Sequence, residues 1–310
     1  MSTIDNIRMR VDELNEAENP LRALARPPGI LMLPMTLLLL VMFVGPMLAI
    51  VIFSFQTGNA ISLNPLEWSI ATYEEVGGGM VTGGGVYGDV LVNTVAVSLT
   101  TTVITLILSY PAAYALAHKI TRYKLVFLMI LIIPLFTSVN IRVFGWALFL
   151  VQDGVLNSIV TLFGVQEYAS LMYRRATIIL GTTYIYLPFM LFPIYLSMLS
   201  IDDTTFEAAE DLGASKYTLF WKILLPMSKP GVIIGSLFVF VLSLGADVEA
   251  QILGGGSIFT MASNIEYSFG YSQNWPLGST QAVGLLIITV VAGIIILRTI
   301  DLQEIAARGE

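Results

Sequence analysis

Residues 207–213 read Glu-Ala-Ala-Glu-Asp-Leu-Gly and residues 223–226 read Ile-Leu-Leu-Pro, in a chain that is otherwise strongly hydrophobic. Long apolar stretches lie on both sides of this charged segment. We call residues 201–229 the polar insert. A polar segment between two apolar ones indicates that the chain leaves a nonpolar environment there and then returns to it.

The composition is that of an all-α integral membrane protein. Of the 310 residues, 56% are hydrophobic and 12% are charged, which leaves too little polar surface to cover a soluble globule of this length. Membrane lipid is therefore the expected surrounding. The formal net charge of -7 argues against a nucleic-acid partner, because phosphate backbones are bound by clustered Lys and Arg. The chain has no Cys, which excludes disulfides and thiolate metal sites.

Six apolar stretches approach the roughly 20 residues that a helix needs to cross a bilayer. They predict transmembrane helices at residues 30–54, 90–117, 125–150, 176–200, 230–251 and 279–299. The first stretch is longer than the apolar region of a secretory signal and begins after 29 residues, so we expect a retained anchor.

The distribution of Lys and Arg predicts the orientation, because short cytoplasmic loops are rich in these residues. Basic residues precede the first helix, separate the second from the third, occur in the polar insert and end the chain. Residues 55–89 and 252–278 contain none and are assigned to the outside. We therefore expect cytoplasmic tails at residues 1–29 and 301–310, with a periplasmic loop at 55–89. Arg174 and Arg175 depart from this pattern.

Capping residues in the polar insert predict two short helices. Thr204 lies three residues before Glu207, the spacing of a capping box, so a helix is expected to begin there. Gly213 suits the left-handed position just after a helix. Ser215 is a candidate cap for a second helix, which Pro226 is expected to end. The second helix has an apolar face made of Leu219, Phe220, Ile223 and Leu224.

Two interpretations of this helix-turn-helix unit follow. A helix of about two turns is unstable alone in water and relies on packing or on a partner. Small side chains at Ala208, Ala209 and Ala214 would let another protein approach closely. The alternative is an amphipathic connector that lies on the membrane surface.

The pattern Glu-Ala-Ala, three residues, Gly, nine residues, Ile-x-Leu-Pro resembles the cytoplasmic loop of permease subunits of ATP-binding-cassette (ABC) importers. Over residues 90–300 the chain is similar to type I importer permeases of the polyamine (spermidine/putrescine) group. The further segments that carry this resemblance are residues 138–146, 154–157, 186–190, 253–255 and 274–278.

The resemblance implies a type I ABC importer permease fold of six transmembrane helices, with short cytoplasmic coupling helices between helices 4 and 5. It also implies a bacterial inner membrane protein that works with a second permease subunit, two ATPase subunits and an extracytoplasmic solute-binding protein. The second permease would be a related chain or another copy of this one. ATP and Mg would bind to the ATPases, and this chain would bind no cofactor or metal. The 204–226 loop would contact the ATPase through Glu207, Ala208, Ala209, Gly213, Ala214, Ile223, Leu225 and Pro226.

Ionisable residues within the apolar stretches are candidates for a solute path, because charge at bilayer depth is costly. Asp247 and Glu249 lie near the end of the fifth predicted helix, and Arg142 lies in the third. On an intact helix residues 247 and 251 share a face, so Asp247 with Gln251 is expected to face the path. Unwinding toward Gly254 would add Glu249.

An acidic path with aromatic walls suits an organic cation, and Phe144, Trp146 and Tyr184 are candidate walls. Alternatively, Arg142 pairs with one of the acids and only secures helix packing. Polyamine permeases usually carry acidic residues at the positions of Ala246 and Gln251. The solute could therefore instead be an opine, another amine, an anion or a metal chelate.

No enzyme active site is expected. His118 is the only histidine, so a metal site or a nucleophilic triad is not expected there, and we predict it to lie in solvent or at an interface. No glycine run precedes Lys-Ser or Lys-Thr, so a phosphate-binding loop is missing. An ion-coupled secondary transporter, or a membrane-embedded enzyme or scaffold, remains as an alternative from another class.

Overall fold

The computed structural model describes residues 29–57, 68–82, 86–164 and 170–298. The predictions for the two tails, for most of residues 55–67 and for Gly83 to Gly85 lie outside these ranges. By backbone contacts the chain divides between Ile52 and Phe53 into two units. The first helix belongs to the first unit up to Ile52, and the helices after it belong to the second.

Thirteen α-helices form the described part of the chain. They are α1 Gly29–Ser54, α2 Ala71–Thr82, α3 Val86–Tyr114, α4 Lys124–Ile132, α5 Val139–Leu150, α6 Val155–Leu162, α7 Arg175–Leu199, α8 Asp203–Asp211, α9 Lys216–Leu219, α10 Leu225–Leu244, α11 Asp247–Gly254, α12 Met261–Gly270 and α13 Trp275–Arg298. Three short segments continue some of them: the π-turns Ala115–Lys119 after α3 and Phe220–Leu224 after α9, and the 3-10 helix Ile133–Phe136 after α4.

Six helical segments in these ranges are long and apolar enough to cross a membrane, which confirms the predicted number. Their bounds are Pro34–Ser54, Val86–Lys119, Val139–Leu162, Arg175–Leu199, Lys216–Leu244 and Trp275–Ile296.

The third predicted span, residues 125–150, is wrong as a single helix. The chain forms α4, then a 3-10 turn that contains Pro134, and then an extended backbone at Thr137 and Ser138 before α5 begins. Pro134 has no N–H to donate, and its ring clashes with the carbonyl four residues earlier, so the helix ends there. The segment long enough to span is instead Val139–Leu162.

The fifth predicted span, residues 230–251, is also interrupted. α10 ends at Gly245, Ala246 has a non-helical backbone, and α11 starts at Asp247. Asp247 and Glu249 lie in the first turn of α11, where helix N–H groups stabilise negative charge. The acids thus belong to a separate eight-residue helix, not to the end of the transmembrane one.

The segments that we assigned to outer loops contain helices of their own. α2 lies within residues 55–89, and Gly77 to Gly79, expected in a loop, are part of it. α12 lies within residues 252–278 and begins with a capping box in which Thr260 and Ser263 bond to each other's backbone N–H groups.

The centre of the second unit is made by α3, α7 and α10. One core cluster contains Ala113 and Leu116 next to a row from α7 that includes Met190, Ile194 and Met198. Buried hydroxyl groups also join these helices. The hydroxyl oxygens of Thr101 and Thr182 are 2.8 Å apart, and those of Tyr110 and Ser228 are 2.9 Å apart.

Candidate functional site

The first helix of the polar insert, α8, begins differently from our prediction. Its N-cap is Asp202, the helix starts at Asp203, and no side chain bonds to the cap position. The predicted capping box of Thr204 and Glu207 is therefore wrong. Because the N-cap lies two residues before the predicted one, Thr204 and Glu207 are both inside the helix, where their side chains are not placed to form that capping box.

The end of α8 is as predicted. Gly213 has a φ of 82°, in the left-handed region that glycine adopts without a Cβ penalty. The Gly213 N–H donates to the carbonyl of Glu210 at 2.8 Å, and the Ala214 N–H donates to the carbonyl of Ala209 at 3.0 Å. These two bonds form a Schellman motif, which satisfies the last carbonyls of α8 and reverses the chain toward α9.

The second helix begins as predicted but does not end at Pro226. The Ser215 hydroxyl accepts a hydrogen bond from the Thr218 N–H at 3.2 Å. Pro226 lies in the first turn of α10, after a π-turn in which the Leu225 N–H donates to the carbonyl of Phe220. The wider π-turn accommodates a residue that has no N–H, so the chain stays helical from Lys216 to Leu244.

The polar insert has a packed side and an open side. Leu219 and Leu224 are buried, and Phe220 and Ile223 are half-buried, which confirms the predicted apolar face. On the open side Leu212 is 89% exposed. Among the residues implied in ATPase contact, Glu207, Ala208, Gly213 and Pro226 are exposed, and Ala209, Ala214, Ile223 and Leu225 are half-buried.

His118 packs against α8, so the first of the two positions that we expected, in solvent, is wrong, and the second, at an interface, stays a prediction. Its side chain is only 8% exposed, and its Nδ1 lies 2.9 Å from a carboxylate oxygen of Asp203. The imidazole ring meets the ring of Phe206 edge-on, with 5.1 Å between centroids. His118 and Asp203 are 85 residues apart in the chain, and no local pattern in the sequence signals this contact.

A cavity of about 670 Å³ lies beside this contact. Glu207 and Glu210 of α8 line it on one side, and Tyr110 and Tyr114 of α3 line it on another. α8 therefore borders open space along part of the face that it turns toward α3.

The structure brings together three of the seven predicted solute-path residues. Arg142, Trp146 and Tyr184 line a cleft of about 370 Å³. The rings of Trp146 and Tyr184 meet edge-on at 5.7 Å, and Phe149 meets Trp146 at 5.8 Å. The charged group in the wall of this cleft is a guanidinium, not a carboxylate.

Of the other four, Phe144 of α5 is exposed and three lie on α11, and all four are outside the lining of that cleft. Glu249 is only 2% exposed and lies within electrostatic reach of Arg142 and Asp247. Asp247 is half-buried. Gln251 is exposed and donates a hydrogen bond to Glu266 of α12, a residue that the sequence did not single out.

The alternative in which Arg142 pairs with an acid finds only partial support. In the part of the chain that the structure describes, Arg142 forms no ion pair at 4.0 Å or less with Asp247 or Glu249, and its buried Nε and Nη1 atoms have no hydrogen-bond partner. The attraction between these residues therefore acts over a longer distance.

Comparison with known proteins connects this geometry to a family. Residues 79–304 match the model of the family described as binding-protein-dependent transport system inner membrane component. The match covers the polar insert and all of the core helices. The chain belongs to this family.

Two relatives are similar over most of the chain. The spermidine/putrescine transport system permease protein PotB of Escherichia coli (strain K12) is 32% identical over 260 residues, which is 83% of this chain and 91% of that protein. PotB of Haemophilus influenzae is 32% identical over 203 residues, which is 65% of this chain and 71% of that protein.

A solved structure shows the same fold. A chain of the bacterial alginate ABC transporter, crystallised in complex with an alginate pentasaccharide-bound periplasmic protein, superimposes with a TM-score of 0.67. The match covers 86% of this chain and 91% of the other, at 15% sequence identity. The six-helix ABC importer permease fold is confirmed.

This protein is thus the permease subunit of a binding-protein-dependent ABC importer and a multi-pass inner membrane protein. Its role is transport, not catalysis.

Proposed function

We propose that this permease forms half of a translocation path for a polyamine or a related organic cation, and that it couples to a separate ATPase through the 204–226 loop. The observation that carries the coupling role is the build of the polar insert. One side packs on the core through Leu219 and Leu224, and the other side presents Glu207, Ala208 and Leu212 outward.

The insert is suited to transmit force. The Schellman motif at Gly213 and the Ser215 cap define the turn between α8 and α9. From Lys216 the chain continues as one helical segment into the membrane. A push on α8 and α9 would therefore act directly on α10, without a flexible linker between them. α8 and α9 are the coupling helices in this proposal.

The proposal requires other subunits. A second, related permease would complete the path, two ATPase subunits would bind ATP and Mg, and a solute-binding protein would deliver the solute from outside. The excess of Lys and Arg in the insert and near both termini supports a cytoplasmic position for these segments. Closure of the ATPases would move the coupling helices toward each other and change the side to which the path opens.

Two observations bear on the solute. The PotB relatives are named for spermidine and putrescine, and the aromatic pair Trp146 and Tyr184 suits contact with an organic cation. Arg142 in the same cleft favours a second candidate, a solute that also carries a carboxylate or another anionic group. The fold alone does not determine the solute, since a structurally similar transporter is named for the import of the acidic polysaccharide alginate.

The central experiment is uptake and ATP hydrolysis by the complete importer in proteoliposomes, with labelled putrescine and spermidine as probes. Gly213→Trp and Gly213→Asn are the informative variants. A Cβ added at position 213 meets nothing within 4 Å in this chain, so the first atom of a side chain has room there. Asn tolerates the left-handed backbone and is small, whereas Trp is strained there and would project toward the ATPase.

We expect Gly213→Trp to abolish uptake while the protein still inserts into the membrane, and Gly213→Asn to retain most of it. Normal uptake by Gly213→Trp would contradict the coupling role. Uptake that follows an ion gradient without ATP would instead identify an ion-coupled secondary transporter. Uptake of a carboxylate-bearing amine in preference to both polyamines would support the second solute class.

A further inference from the structure

We infer that the contact of His118 with α8 transmits movement of this coupling helix to the transmembrane helix α3. This inference rests on the coupling role proposed above and assigns a positioning residue outside the 204–226 loop. His118 ends a segment that is continuous with α3, and its imidazole contacts two side chains of α8.

α8 has few attachments of its own. None of its nine residues is buried, and Phe206 is the residue of this helix that packs against the core cluster around Met198. A helix this short is not stable by itself, so its position depends on these contacts. Phe206 and Asp203, one turn apart on α8, both meet the ring of His118.

The other side of the contact is firmly held. His118 lies in the π-turn Ala115–Lys119, which closes with a 2.8 Å hydrogen bond from the Ile120 N–H to the carbonyl of Ala115. Leu116 in the same turn is buried in the core, and the Tyr114 ring lies 5.6 Å from the imidazole. Displacement of His118 therefore displaces the end of α3.

The cavity beside the contact gives α8 room to move. Asp203, Phe206, Glu207 and Glu210 all line this cavity. Asp203 and Phe206 also touch His118. The contacts of α8 with His118 thus lie near its N-terminal end, and its C-terminal end is joined to α9 by the turn at Gly213. Force applied to the exposed residues Glu207 and Ala208 would turn the helix about the His118 contact and pull on α3.

The hydrogen bond between Asp203 and His118 fixes the position of α8 relative to the imidazole ring. Asp203 is 77% exposed, so its bond to a neutral or charged imidazole adds little to global stability. Its geometric effect is larger, because it ties the first residue of α8 to one ring nitrogen. Loss of the bond should change how movement is transmitted more than how well the protein folds.

The test is a double-mutant cycle in the complete importer, reconstituted with its ATPase and binding-protein subunits. His118→Phe keeps a ring against Phe206 and removes Nδ1, and Asp203→Ala removes the acceptor. Asp202→Asn is the matched control, because Asp202 is the neighbouring exposed acid and makes no cap bond through its side chain. The quantity measured is putrescine imported per ATP hydrolysed, together with the amount of assembled complex.

We expect each single variant to lower this ratio by about fivefold and the double variant to lower it no further, with assembly and Asp202→Asn near wild type. An unchanged ratio in His118→Phe, or losses that multiply in the double variant, would overturn the inference. If Gly213→Trp lowers the amount of putrescine imported per ATP in the same preparation while the His118 variants do not, the proposed function stands and the role of His118 is wrong. If the ATPase fails to bind this chain at all, the proposed function itself fails.

Discussion

A methyl group on the α-carbon of Gly231 would lie 2.4 Å from the carbonyl oxygen of Pro193. One turn further along α10, a methyl group on Gly235 would lie 2.9 Å from the carbonyl oxygen of Met190. α7 and α10 therefore approach backbone to backbone at two glycines spaced four residues apart. This small-xxx-small arrangement lets membrane helices pack closely, and it joins α10, which continues from the polar insert, to the centre of the core.

Gly231→Ala is expected to destabilise the transmembrane unit by about 1–3 kcal/mol, because the atoms it would meet belong mainly to the backbone of α7 and cannot move away cheaply. The measurement is the thermal unfolding midpoint of the purified protein in detergent. Gly293→Ala in α13 is the control, since its methyl group would meet only Leu237 at an ordinary 4.0 Å. Equal midpoints for the two variants would contradict the close approach.

Ser215→Ala is expected to destabilise the start of α9 by about 1 kcal/mol, because the Thr218 N–H loses its acceptor. Thr204→Ala should have little effect, since α8 has no side-chain cap bond. Amide hydrogen exchange over residues 215–220 and 203–208 measures both. Faster exchange in α8 of Thr204→Ala would mean that the capping box predicted from the sequence forms after all.

The sequence predicts those features of this fold that depend on nearby residues. Span number follows from the length of apolar runs, and the turn at Gly213 and the cap at Ser215 follow from backbone chemistry within a few residues. Hydropathy does not reveal breaks inside an apolar run. α4 and α5 are separated at Pro134 within the predicted span 125–150, and α10 and α11 are separated at Gly245 within the predicted span 230–251.

The parts of the site that were missed depend on contacts between distant residues. His118 meets Asp203 across 85 positions, and Gln251 meets Glu266 through the packing of α11 and α12. Asp247, Glu249 and Gln251 were placed on an intact fifth helix, whereas the break after Gly245 puts them on α11. Only Arg142, Trp146 and Tyr184 were brought together by the fold.

Loss of charge at Asp247 and loss of charge at Glu249 should have different effects on the KM of uptake. Asp247 is half-buried, whereas Glu249 is 2% exposed. If the solute is an organic cation, Asp247→Asn should raise the KM of uptake by about threefold to fivefold, which is typical of a partly exposed ion pair. Glu249→Gln should leave KM near wild type. Initial uptake rates over a range of putrescine concentrations measure both.

A second variant at position 249 separates binding from packing. Glu249→Leu removes the buried carboxylate near Arg142, whose Nε and Nη1 have no hydrogen-bond partner in the described structure. Both variants remove the negative charge, but Glu249→Gln keeps an oxygen that can accept a hydrogen bond from the Tyr186 hydroxyl, and Glu249→Leu leaves that buried hydroxyl without this acceptor. The yield of folded protein should therefore be lower for Glu249→Leu than for Glu249→Gln. A rise in KM for Glu249→Gln with KM unchanged for Asp247→Asn would reverse the assignment of the two acids.

Pro226→Ala tests whether Pro226 acts through backbone geometry or through contact with a partner. The π-turn before it closes with the bond from the Leu225 N–H to the carbonyl of Phe220, and Pro226 cannot donate to the carbonyl of Lys222. Alanine can make that bond, which favours an ordinary α-helical turn in place of the wider one. Residues 216–219 would then rotate by about 100° relative to α10, the angle for one residue of an α-helix.

That rotation would carry Leu219 away from its buried position and change the direction in which the insert points. We therefore expect Pro226→Ala to insert normally, to import at a strongly reduced rate, and to show a newly protected amide at position 226 by hydrogen exchange. Pro226→Gly should show the same loss with weaker protection, since glycine also supplies an N–H but stabilises a helix poorly. Full transport by Pro226→Ala with the amide protected would mean that the wider turn is not needed, because the α-helical form would then support coupling equally well.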